Sequence, residues 1–199
     1  MNPLIALDAD GVLLDFHQAY ASAWERAFGA RPALRDPKAY WPIDRWDVQR
    51  LSGAGLETLR ACFDETFWSS VPALPGALDA CQRLVAGGFR LVCVSAVDSK
   101  FAAARETNLS ALGFPLDGLV ATGHTAVDVS PKAEALARLK PVAFVDDYLP
   151  YHRGVHPAIH KALVMREPNG SPNTGPDLQH VDSQHPNLGA FADMWLRGG

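Results

Sequence analysis

Four aspartates, one serine and one lysine carry the most chemistry in this 199-residue chain. Asp8 and Asp10 stand two apart in Leu7-Asp8-Ala9-Asp10-Gly11, and Asp146 and Asp147 are adjacent. A carboxylate can attack phosphorus and form a covalent intermediate, which splits one hard hydrolysis into two easier steps. A carboxylate and a phosphate dianion repel each other, so a cation must lie between them, and Mg²⁺ takes oxygen ligands of this kind. A further carboxylate can protonate a leaving alkoxide and later activate water. Ser95 can hydrogen-bond a phosphoryl oxygen. Lys132 can place positive charge where a transferring group is most anionic. Taken singly, an Asp-x-Asp pair is often a solvated turn, and an Asp-Asp pair a strand end or a helix cap. The reading rests on their coming together.

The elements that must bring them together are legible as short apolar runs. Residues 4–7 end at Asp8, residues 89–94 at Ser95, and residues 141–145 at Asp146-Asp147. Such runs fit parallel strands covered on both faces by helices. Weaker strands are expected at 118–121 and 161–165. Helical periods lie between: 77–86, stopped by Gly87-Gly88; 101–112, ended by Gly113; a helix opened by Ser130 as N-cap with Pro131 and Lys132; and a terminal helix at 187–196 with Leu188, Phe191, Ala192 and Trp195 inward. Alternation of this kind predicts an α/β fold, a Rossmann-like parallel sheet with right-handed crossovers. Ligands of such sheets sit at the carboxyl ends of the strands, so residues from three strands converge on one edge.

Residues 17–70 interrupt that pattern, too long for a plain connection. Helices are expected at 19–28, 43–51 and 56–68, with a proline-containing break at 31–42. Four of the five tryptophans (Trp24, Trp41, Trp46 and Trp68) fall here, as expected of a small helical cap that must build a core from large side chains. The domain reading is a core of residues 1–16 and 71–199 with a cap at 17–70. Trp24, Phe28, Phe63 and Phe67 are expected to pack inside the cap. Tyr40, Trp41 and Trp46 are expected to face a cleft, where an aromatic ring can stack on a nucleobase.

Composition limits the alternatives. Eighteen Lys+Arg against 22 Asp+Glu give a formal charge of −4, which argues against a nucleic-acid polymer or an anionic membrane as partner. Three scattered cysteines form neither a CxxC nor a disulfide framework. With no signal-peptide pattern and no apolar run near the roughly 18 residues of a membrane span, a cytoplasmic location is expected, as monomer or homodimer. His156 and His160 are spaced i, i+4, but Pro157 breaks a regular helix there and no HExxH is present, so these two and His152, His180 and His185 are expected in surface loops. Asp98 is expected to cap a helix, Lys100 to be solvated, and Asp15 to cap or orient its loop.

The segment from Leu7 to Phe16, LDADGVLLDF, resembles the first motif of the haloacid dehalogenase-like superfamily. Ser95, Lys132 and Asp146-Asp147 match its remaining motifs in order, and the resemblance covers nearly the whole chain. It implies a Mg²⁺-dependent phosphatase or phosphotransferase with an aspartyl-phosphate intermediate. Asp8 is then the nucleophile and Asp10 the acid/base. Metal ligands are Asp8, the Asp10 carbonyl and Asp147, with Asp146 as ligand or immediate support. The 5′(3′)-deoxyribonucleotidase branch is the most similar, through DGVLLDF, the cap exit Phe67 to Ala77, and Phe191-Ala192-Asp193-Met194-Trp195. That suggests a small phosphomonoester such as a nucleoside monophosphate, with Phe16, Trp41 and Trp46 as substrate contacts. The chain departs from the branch at Ser95-Ala96, where Thr-Ser is usual, and at residues 123–129, which separate the third strand from Lys132. A phosphomutase of the β-phosphoglucomutase kind and a non-catalytic phosphate-ligand binder remain alternatives.

Overall fold

The computed structural model describes residues 2–124 and 128–198; of the 123–129 segment, residues 125–127 lie outside it. Six parallel strands form one sheet in the order β3-β2-β1-β4-β5-β6. They are β1 (Leu4–Leu7), β2 (Arg90–Ser95), β3 (Leu119–Ala121), β4 (Ala143–Asp146), β5 (His160–Val164) and β6 (Ser183–His185). The first two connections build the sheet to one side of β1. The chain then crosses back and continues on the other side from β4. Leu7 pairs with Cys93 of β2 and with Val145 of β4, which sets Asp8 level with Asp146 at the point where strand order reverses. Such a reversal opens the crevice in which α/β sheets hold ligands.

Strand residues alternate between two buried faces, which is why the runs are continuously apolar. Ile5, Leu7, Leu91, Cys93 and Val145 pack against α5 (Ala77–Ala86), α6 (Ala102–Ala111) and α8 (Leu188–Arg197). Ala6, Val92, Val94 and Phe144 pack against α7 (Ala133–Leu139) and Val155 and Ile159. The helix expected to start at Ser130 begins at Ala133. Ser130 Oγ still accepts from the Lys132 amide, at 3.2 Å. Asn187 caps α8 by accepting from the Ala190 amide. Asp98 accepts from the Lys100 amide and caps the turn before α6.

Between β1 and α5 lie α1 (Phe16–Phe28), α2 (Pro42–Arg45), α3 (Gly53–Ala61) and α4 (Glu65–Trp68). Asp15 caps α1 by accepting from the Gln18 amide. The helix expected over 43–51 stops at Arg45. Its last turn is pulled into a ladder with the preceding loop, where Arg35 and Asp36 amides donate to Arg45 O and the Asp47 amide donates to Ala33 O. The helix expected over 56–68 is two helices, because Asp64 accepts from the Phe67 amide and starts α4 afresh. Phe67 is buried, whereas Phe28 is 40% exposed and lies on Trp24.

Two histidines overturn the surface-loop expectation: His152 and His185 are buried. His152 packs on Phe144, and neither ring nitrogen has a hydrogen-bond partner among the described residues. Burial lowers its pKa to about 3. An unfolded histidine takes up a proton near pH 6.5, whereas this folded one does not until about pH 3. Stability is therefore lost as pH falls through 6.5, by up to ~1.4 kcal/mol per pH unit. Urea unfolding at pH 7 and pH 5 is expected to show about 2 kcal/mol of this loss. His152→Leu is expected to remove it, and an unchanged pH slope in that variant would count against the assignment.

Candidate active site

The carboxyl ends of β1, β2 and β4 bring the sequence-selected residues together. Asp8 follows β1, and its amide donates to Val145 O of β4 at 2.9 Å. The chain then turns sharply: the Leu13 and Leu14 amides both donate to Ala9 O, and Gly11 takes a φ of +85°. That backbone region favours glycine. A Cβ at Gly11 would also strike the Asp147 carboxylate and come 2.6 Å from Arg166 Nε. The loop can lie this close to the β4 end only without a side chain.

Lys132 is the centre of charge. Its Nζ lies 2.6 Å from Asp8 Oδ1 and 2.6 Å from Asp146 Oδ2, and the residue is fully buried. The other Asp146 oxygen accepts from the Tyr148 amide at 2.9 Å. Burial opposes the lysine's charge, but Asp146 and Asp8 outweigh it and hold the pKa above the ordinary lysine range. Burial raises Asp8 well above the usual carboxylate range, with Lys132 pulling against it. Burial likewise lifts Asp146 to about 6. Ser95 ends β2 and is 1% exposed, with its Oγ 3.4 Å from the Val97 amide.

Three arms of the site carry no mark in the motif pattern. Arg166, just past β5, places Nε 2.5 Å from Asp147 Oδ2. Tyr40 donates its hydroxyl to Asp147 O at 3.1 Å, and the Arg166 guanidinium lies 4.7 Å over its ring. Arg105 of α6 binds Asp10. A signal existed for each. Arg166 follows an expected strand at the carboxyl edge, and Arg105 shares a helical stripe with Leu109 and Leu112, where a charge is out of place. Tyr40, expected to face a cleft, lines the same cavity as Asp8 and Asp10, and its position is set by backbone bonds between residues 38–40 and Asn169.

Asp8, Asp146 and Asp147 each offer an oxygen within 4.8 Å of the others, and all three are buried. With Asp10 the site holds four carboxylates against Lys132, Arg105 and Arg166. Three buried carboxylates whose oxygens converge make an all-oxygen donor set of the kind a hard divalent cation takes. The donor set therefore fits Mg²⁺.

Asp8, Asp10 and Ser95 open onto a cavity of about 520 Å³. Much of its lining is aromatic and includes Phe16, Trp41, Phe63, Trp68 and Tyr151. Trp41 is 41% exposed and stands edge-on to Tyr40 and Tyr148. Trp46 does not face the cleft. It is 5% exposed, clusters with Ala21 and Val48, and donates from Nε1 to His17 O. Its indole closes the underside of α1, so the ladder that ends α2 also turns Trp46 inward.

No protein-family model matches the chain, and no curated protein matches it significantly. Solved structures do. A haloacid dehalogenase-like (HAD) family hydrolase from Deinococcus radiodurans R1, with bound phosphate and sodium, is 14% identical over 98% of this chain and 97% of its own, at a TM-score of 0.64. The L-2-haloacid dehalogenase of Xanthobacter autotrophicus is 15% identical over 100% and 99%, at 0.61. A Thermotoga maritima protein provisionally described as a β-phosphoglucomutase is 16% identical over 98% and 99%, at 0.60. The chain has the fold of these HAD-family proteins along its whole length. None of the three is described as a nucleotidase.

Proposed function

We propose that this chain is a Mg²⁺-dependent phosphomonoesterase that works through an aspartyl-phosphate on Asp8. The observation that carries the reading is Lys132, buried and 2.6 Å from both Asp8 and Asp146, beneath a cavity that Asp8, Asp10 and Asp147 line. A structural ion pair needs one carboxylate. A lysine shared by two, beside a third in Asp147, suits a site built to receive an anion and a cation together.

The steps follow from the side chains. Asp8 attacks phosphorus, and the bond from phosphorus to the ester oxygen breaks. Asp10 gives its proton to the departing oxygen. Asp10 then takes a proton from water, which attacks the phosphorus of the aspartyl-phosphate and frees Asp8. Ser95 and Lys132 hold the phosphoryl oxygens as charge moves onto them. Asp8, Asp147, Asp146 and the Asp10 carbonyl would hold Mg²⁺, which would offset the repulsion between nucleophile and phosphate. A phosphomutase is the second reading, favoured by the fold shared with the Thermotoga protein. The fold shared with a dehalogenase carries less weight, because a dehalogenase has no use for an acid/base at Asp10.

The aromatic wall supports a nucleoside monophosphate as substrate, with residues 17–70 acting as the cap that covers it. Phe16 and Trp41 remain the substrate contacts, and Trp46 does not. Stacking is worth roughly 1–3 kcal/mol per base, so Trp41→Ala is expected to raise KM for a nucleotide by about 5- to 100-fold. Trp46→Ala is expected to leave KM alone and cost about 3–5 kcal/mol of stability. A KM effect in Trp46→Ala without one in Trp41→Ala would overturn this.

Phosphate release from nucleoside monophosphates, sugar phosphates and p-nitrophenyl phosphate, with Mg²⁺ and with EDTA, tests the whole reading. Release only with Mg²⁺ is expected. An isomerised sugar phosphate without free phosphate would favour the mutase. No reaction with any ester would overturn both.

A further inference from the structure

Arg105 is the buried charge that the proposed reaction leaves without a task. It lies on α6 and is fully buried. One nitrogen, Nη2, sits 2.9 and 2.8 Å from the two oxygens of Asp10. Nε and Nη1 have no hydrogen-bond partner among the described residues. The guanidinium lies 4.9 Å over Trp68, which also packs against Phe16 and Phe67 and lines the cavity. A buried guanidinium with unmet donors works against stability. A leucine or methionine would suit this stripe of α6 better, beside Leu109. Packing does not explain the arginine, and its grip on Asp10 does.

We infer that Arg105 is a positioning residue for Asp10: it fixes the plane of that carboxylate and, through Trp68, ties its orientation to the aromatic wall that receives the substrate. A carboxylate on a free loop rotates about two torsions. One nitrogen on both oxygens removes that freedom, and misplacement of a proton donor by an ångström is costly. The inference rests on the phosphomonoesterase reading. In that reaction the bond from Asp8 to phosphorus forms as the ester bond breaks, the bonding electrons pass to the leaving oxygen, and Asp10 supplies its proton. A leaving group that is stable as an anion needs that proton little. A simple alkoxide needs it.

The test compares benzyl phosphate with p-nitrophenyl phosphate, similar in shape but releasing a strongly and a weakly basic oxygen. The readout is kcat/KM, which covers the steps up to phosphorylation of Asp8 and is blind to later ones. Arg105→Met is expected to lower kcat/KM for benzyl phosphate at least about ten-fold more than for p-nitrophenyl phosphate. Asp10→Asn is expected to show the same bias more strongly. Equal losses on both esters would mark Arg105 as merely structural and overturn the inference, as would no loss on either. Should Arg105→Met not fold, Arg105→Lys keeps the buried charge and carries the same comparison. Inactivity of the parent chain toward every phosphomonoester would overturn the underlying reading instead. That failure appears in the parent, whereas failure of the inference appears only in the variants.

Discussion

Asp8→Asn is expected to lower kcat/KM by about 10⁴-fold or more and to leave the protein at least as stable as the parent. The two halves have one origin. In the proposed reaction, no phosphoryl-enzyme can form without a carboxylate at position 8, and the remaining groups act only by binding and polarising the ester. The same carboxylate is a burden on the fold. Burial holds its pKa well above the usual range, so the folded chain binds a proton that the unfolded chain releases. Stability contributed by that group falls as pH rises from about 4 toward the folded value. Asparagine keeps the shape and removes the charge, and Lys132 keeps Asp146 as its partner. Phosphate release and thermal melting at pH 7.5 check both halves. Near-parental turnover would remove Asp8 as nucleophile. A large drop in melting temperature would show that the Asp8–Lys132 contact stabilises more than burial costs.

The second large effect is at Lys132. Lys132→Met is expected to abolish turnover and also to destabilise the fold by about 3–5 kcal/mol at neutral pH, the usual cost of leaving buried charge uncompensated. That is a large share of a total near 5–15 kcal/mol. The loss is expected to shrink on acidification. Asp146 already titrates near 6 with the lysine in place, and without it the folded chain binds protons more readily still. Protonation of Asp8 and Asp146 then favours the folded state as pH falls. Urea unfolding at pH 8 and pH 5.5 measures this. Adding Asp8→Asn to Lys132→Met is expected to recover part of the loss, because the two side chains share one contact. Strictly additive effects would mean that Lys132 supports the fold through Asp146 alone.

How far the sequence leads differs from element to element, for physical reasons. β1, β2 and β4 were legible because sheet strands buried on both faces leave continuous apolar runs, and their polar ends mark one edge. β6 was not. Ser183-Gln184-His185 holds no aliphatic residue, and the strand exists because its backbone pairs with β5 at the rim. The end of α2 was hidden for a similar reason. Local propensity continues past Arg45, but hydrogen bonds to residues 33–36 win, and they carry Trp46 into the interior. Among the site residues, those that lie on strand ends could be aligned from the order of the runs. Arg105 could not be assigned a partner, because nothing along α6 says that Asp10 lies above it. Tyr40 could be expected at a cleft from its neighbours, but its bond to Asp147, 107 positions away, leaves no local pattern.

Gly11 has a consequence in genetics. Every base change that alters a glycine codon to another amino acid brings in a Cβ. At Gly29 or Gly88 such a change meets open space and strains only the backbone. At Gly11 it meets Asp147 and Arg166 as well as a positive φ. Every missense step at this codon therefore presses on the far side of the sheet's reversal point. Loss-of-function alleles recovered by random mutagenesis are expected to cluster at this codon as well as at Asp8, although the residue itself has no functional group.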